Sequence, residues 1–198
     1  MVARRHNGNT YQEIAVVAAE PLSVDIKSAT LDGSVTVDGK AYEAAATITR
    51  PSDSTAYAAG DVVGDAAGSA IITLANIGPS NGFVLIHSVA LLFSDSSVPA
   101  NMAAFRVHFY TSSPTAIVDN AAFDLVGSDR ARYAGFVELS KPLALGSSLY
   151  QQNDPPARMV RLLPGSTSLF ALIETRGGYQ PVSGSTVRLS VSALEVGL

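Results

Sequence analysis

The feature that most constrains this chain is a two-residue alternation of apolar and polar side chains, interrupted repeatedly by clusters of Gly, Pro, Ser and Asp. Period two puts successive side chains on opposite faces of an extended strand, whereas a helix needs a period near 3.6. Val187, Leu189 and Val191 alternate with Arg188, Ser190 and Ser192 inside a strand expected over 186–196. Phe105, Val107 and Phe109 point one way, and Arg106, His108 and Tyr110 form the opposite, polar face. Further strands are expected over 70–75, 133–139, 159–163 and 169–175. The segment 83–93 is apolar at both parities, which predicts a strand buried on both faces.

Near the N-terminus, Val35 and Val37 alternate with Ser34 and Thr36, and Asp38-Gly39 follows as a hairpin signal. The return strand is expected over 42–49. Arg50-Pro51 ends it, because proline cannot donate to a ladder. Residues 51–68, rich in Ser, Ala, Asp and Gly, read as a long loop. Residues 1–30 lack a clear period and read as an N-terminal arm with a short strand around Ile14 to Val17. No amphipathic helix, fixed-period repeat or dividing linker stands out after it. The expected fold is all-β: a jelly roll first, another Greek-key β-sandwich second, with residues 31–198 as a single domain behind the arm.

Hydrophobic residues make up 47% of the 198 and charged residues 15%, enough apolar matter for a sizeable core. The net charge of −4 offers no global basic footprint for nucleic acid. Cysteine is absent, which removes thiolate chemistry and Cys-based zinc sites and fits folding in a reducing cytosol or stabilisation by assembly. The N-terminus reads unlike a signal peptide, and the most apolar run, 83–93, is about half the length of a membrane helix. No membrane partner is expected.

His6 lies in the arm, His87 in the most apolar strand and His108 on a polar strand face; no metal-binding or catalytic spacing joins them. Asp119, Asp124 and Asp129 offer oxygen ligands, but their spacing of five does not match an EF-hand loop, and turn capping is the expected role. Gly60-Asp61 and Gly64-Asp65 read as turns in the same way. Glu138 and Glu174 fall in expected strands. A glycosidase pair would hold two carboxyls roughly 5–10 Å apart across a cleft, and exposed strand acids are the commoner case. Arg176-Gly177-Gly178 reads as a turn. No nucleophile elbow, P-loop or dinucleotide fingerprint is present, so no catalytic residue, metal or cofactor is expected.

Four blocks resemble virion-associated proteins of tailed bacteriophages: Arg50 to Gly64 (RPSDSTAYAAGDVVG), Phe105 to Tyr110 (FRVHFY), Ser113 to Phe123 (SPTAIVDNAAF) and Asp129 to Phe136 (DRARYAGF). They lie within residues 50–136, somewhat under half the chain. The resemblance implies a virion protein assembled in the host bacterial cytoplasm, and transfers no catalytic residue. Within a phage particle, a compact β domain that spans subunit joints, with an arm to reach a neighbour, favours a head decoration (cement) protein that locks neighbouring capsomers; the alternative is a tail or fibre component binding host-surface glycan, with a free glycan-active enzyme a distant third. The implied partners are the major capsid protein or other virion proteins, and further copies of this chain, with a trimer favoured. Arg4 and Arg5 precede the first acid, Glu13. With Ile14, Val16 and Val17 they are the residues expected to attach the arm to a neighbour.

Overall fold

The computed structural model describes residues 2–7, 10–15, 39–155 and 157–197. Contacts divide the chain into Met1–Val37 and Asp38–Leu198. In the first unit, β1 (Val2–Asn7) and β2 (Thr10–Ala15) pair antiparallel, with Val2 opposite Ala15 and Asn7 opposite Thr10. A hairpin therefore occupies much of the segment that shows no period in sequence. Arg4 and Arg5 lie in β1 and Ile14 in β2. Val16, Val17, the strand expected at 34–37 and the arm boundary at 30/31 fall outside the described residues.

The second unit is a sandwich of two antiparallel sheets. Its strands are β3 (Ala41–Thr49), β4 (Val62–Val63), β5 (Ile72–Leu74), β6 (Phe83–Phe93), β7 (Phe105–Tyr110), β8 (Tyr133–Leu139), β9 (Leu143–Ala144), β10 (Leu149–Asn153), β11 (Arg158–Arg161), β12 (Leu169–Thr175) and β13 (Thr186–Val196). The six-stranded sheet runs β3-β13-β6-β10-β9, with β11 also on β6. The five-stranded sheet runs β4-β12-β7-β8, with β5 also on β12. When β4 with β5, and β10 with β11, are each taken as one interrupted strand and the two-residue edge strand β9 is set aside, the sheets read first–eighth–third–sixth and second–seventh–fourth–fifth. That order is a jelly roll, the first of the two expected topologies.

The main core lies between the sheets. The six-stranded sheet contributes Ile86, Val89, Leu91, Phe93, Val187 and Leu189, and the five-stranded sheet contributes Phe105, Val107, Phe109, Leu139, Leu169 and Ile173. A smaller cluster of Val62, Ala70, Tyr110 and Leu172 sits on the other side of the five-stranded sheet, beneath Ile117, Phe123, Leu125 and Tyr133.

Two expectations need correction. The doubly buried strands are β7 and β12, covered on their outer side by the connection between β7 and β8. β6, by contrast, buries one face and leaves the other half-exposed. It is apolar at both parities because a bulge changes its phase. Ser88 pairs with Ser192, Ile86 pairs with Ala193, and His87 is the extra residue between them. Before the bulge Val84 and Ile86 face the core; after it Val89, Leu91 and Phe93 do. His87 is left exposed. The loop expected over 51–68 contains β4, and β9, β10 and a 3-10 turn over Gly127–Arg132 were also not expected.

Candidate functional site

Arg50, at the end of β3, is 1% exposed. Its Nη2 donates to Asp119 Oδ2 at 2.9 Å, its Nε donates to the Tyr57 hydroxyl, and its guanidinium lies 4.7 Å from the Tyr57 ring centroid. The Tyr57 hydroxyl in turn donates to Asp119 Oδ1 at 2.6 Å, which also accepts from Gly64 N at 2.7 Å. Gly64 is required here, since a Cβ would lie 2.7 Å from the Asp119 backbone. Burial raises the Tyr57 pKa. For Arg50, burial works against the charge, but Tyr57 and Asp119 outweigh it and the pKa is raised. Of the three aspartates spaced by five, Asp119 has its oxygens held by this cluster. Asp129 caps Thr115 N at 2.8 Å, and Asp124 is exposed.

A second cluster sits across the outer side of the five-stranded sheet. Glu174, Arg106 and Glu138 form one cross-strand row on β12, β7 and β8. Arg106 lies 3.6 Å from Glu174 and 3.5 Å from Glu138, so a cation stands between the two carboxylates considered as a catalytic pair. Glu174 also accepts from Arg176 at 2.6 Å and meets His108 Nε2 at 2.8 Å. His108 Nδ1 meets the Tyr133 hydroxyl at 2.9 Å, and the ring stacks on Phe123 at 3.8 Å. The face expected to be polar is therefore buried at His108, where burial lowers the histidine pKa and Glu174 opposes that shift. Arg176 extends from the expected turn, and Gly177 allows it to pass close to Ala103 and the Asn101 carbonyl. Both clusters direct charged groups at one another and hold loops onto the sheet.

The outer face of the six-stranded sheet is different. One cross-strand row runs Ala41, Leu194, Leu85 and Met159 over β3, β13, β6 and β11. Leu194 is 37% exposed and Met159 54%. Farther along the same face, the rows Arg188–Leu92–Tyr150, Ser190–Ala90–Gln152 and Ser192–Ser88 line a groove of ≈ 690 Å³, with Glu43, His87 and Asp154 at its margins. Neither feature was singled out from sequence. Alternation marks which residues face outward, but not which strands lie side by side.

The sheet edges are managed unequally. At β8, Asn153 Nδ2 donates to the Glu138 carbonyl at 2.6 Å and Arg158 Nη1 to the Ala134 carbonyl at 2.7 Å. At the opposite edge, Ala121 O accepts from Val62 N, Asn120 N donates to Val62 O, and Ala70 N donates to Ile117 O. Main-chain groups at both edges of the five-stranded sheet, in β8 and in β4, are thus occupied.

No family model matches the chain, and no curated protein matches it. Three solved virus structures resemble it weakly. The capsid of cyanophage Pam1 aligns over 88% of this chain and 99% of its own at 12% identity, with a TM-score of 0.34. A full particle of Israeli acute paralysis virus heated to 63 degrees aligns over 98% and 89% at 15% identity, with a TM-score of 0.29. The native virion of Kashmir bee virus at acidic pH aligns over 98% and 91% at 13% identity, with a TM-score of 0.28. Likeness at these scores carries no weight for function.

Proposed function

We propose that the chain is a structural protein of a tailed-bacteriophage particle, most specifically a decoration (cement) protein that stabilises the head. The observation that carries this reading is where the four resembling blocks fold. Arg50, Tyr57 and Gly64 of the first block close on Asp119 of the third. The second block is β7, which pairs with β8 from the fourth, and Asp129 of the fourth caps Thr115 of the third. The shared residues build one scaffold whose charged groups are engaged with one another. That supports a non-enzymatic role, since Glu138 and Glu174 are held by Arg106.

In this reading the partners are the major capsid protein or other virion proteins, and further copies of this chain, with a trimer favoured. The exposed Leu194–Leu85–Met159 row is the surface offered for contact between copies. Attachment of the N-terminal arm through Arg4, Arg5, Ile14, Val16 and Val17 belongs to the same proposal. The alternative, a tail or fibre component that holds host-surface glycan, draws on the groove beside that row. The deciding experiment is cryo-electron microscopy of particles from phage with and without the gene. Density on the outer head that disappears with the gene is expected; density confined to the tail would replace decoration with the alternative.

A further inference from the structure

We infer that the groove on the outer face of the six-stranded sheet binds a neutral oligosaccharide. This inference stands apart from the layer of the particle in which the protein resides.

Shape is the first argument. Ser88, Ala90, Ser190 and Ser192 form a floor of short side chains on adjacent paired strands. Tyr150, Gln152 and Asp154 rise on one side, and Glu43 and Arg188 on the other. Such a trough suits a chain-like ligand lying along the strands. An extended peptide would seek free main-chain groups at a sheet edge. Here the floor strands β6 and β13 are paired on both sides.

Charge is the second. Glu43 and Asp154 share the lining with Arg188, so it has no excess of positive charge to hold a phosphate or polyanion, and a polyanion would meet both carboxylates. Hydrogen bonding from Gln152, then Ser88, lowers the Asp154 pKa, which keeps this acid ionised.

Hydrogen-bond chemistry is the third. Tyr150 Oη donates to Gln152 Oε1 at 2.6 Å, and Gln152 Nε2 donates to Asp154 Oδ1 at 2.9 Å. The amide keeps its second N–H, and the carboxylate, with about four lone-pair sites, keeps acceptor capacity beyond the bonds from Gln152 and Ser88. A donor and an acceptor therefore stand side by side, the combination that a sugar hydroxyl satisfies because it both donates and accepts. The side chains already hold one another in place, which reduces the ordering cost of binding.

The test is an NMR titration of the full-length chain with gluco-, galacto-, manno- and xylohexaoses, and with a heparin hexasaccharide as the anionic control. At least one neutral hexaose is expected to shift the amides of residues 88–92, 150–154 and 188–192. Gln152→Ala should weaken that binding about tenfold or more, the effect of losing roughly 1.4 kcal/mol. Ala90→Phe, which fills the floor without removing a polar group, should do the same, and both variants should keep the parent's melting temperature. The inference is overturned if no neutral hexaose shifts these amides, if the shifts survive Ala90→Phe, or if heparin binds more tightly. None of these outcomes bears on head occupancy, which the particle maps read separately.

Discussion

Replacing Arg50 with Met would leave the Asp119 carboxylate, 10% exposed, without its cation. Breaking a buried pair from one side costs about 3–5 kcal/mol, because the remaining charge stays desolvated. For a domain of this size that corresponds to a fall of roughly 10 °C in melting temperature, measurable by calorimetry. His108 makes a different prediction. Its folded pKa lies below the unfolded value of about 6.5, so the unfolded chain binds the proton first as pH falls. The stability linked to His108 is complete above about pH 6.5 and is lost as pH drops toward the lower folded value. His108→Gln should melt lower than the parent at pH 8, yet lose less between pH 7 and pH 5 in a thermal-shift series. An equal loss in both proteins would assign the acid sensitivity to other groups.

Among the strands, the row of Leu194, Leu85 and Met159 is the proposed contact between copies, and it should respond to charge. Leu194→Asp combined with Met159→Glu alters exposed side chains, so the fold should persist with its melting temperature nearly unchanged. Light scattering should then report a smaller oligomer than the parent gives; a parent that is already a monomer at high concentration would remove this role. The row also shows how far sequence reading reaches. Residues 105–110, 133–139, 169–175 and 186–196 are strands at the expected limits, because turn residues bound them and, in 105–110 and 186–192, apolar and polar side chains alternate regularly. The segment 83–93 is also a strand over its expected span, but its mixed parity has two physical origins, burial on both faces or a bulge, and local pattern does not separate them. Short strands such as β4 and β9 carry too few residues to show any period. Clusters built from distant segments were less legible still. Arg50 is 69 positions from Asp119 and His108 is 66 from Glu174. Nothing in the local pattern around either residue marks its partner.

At the scale of the whole molecule, the chain divides into a short N-terminal unit with a hairpin and a jelly roll that has its own core. Deleting residues 1–20 should therefore leave the jelly roll folded while weakening its binding to particles, read as occupancy after co-sedimentation. Changing Arg4 and Arg5 alone should have a smaller effect, one that shrinks further in high salt, since exposed ion pairs are worth about 0–1 kcal/mol each. Unchanged occupancy of the truncated chain would take the arm out of attachment.

The caps along the five-stranded sheet have a consequence for how the protein behaves when many copies meet. A protein produced in many copies at once is in danger of polymerising by annealing strand to strand, and such growth has no natural end. With Asn153 seated on the Glu138 carbonyl, Arg158 on the Ala134 carbonyl, and the segment 117–123 bonded to Val62 of β4 and to Ala70, a newcomer meets occupied main-chain groups at both edges of this sheet. A contact between copies through the outer face of the other sheet, of the kind proposed above, would bury side chains instead of extending a ladder, and so could close on a fixed number of copies and stop.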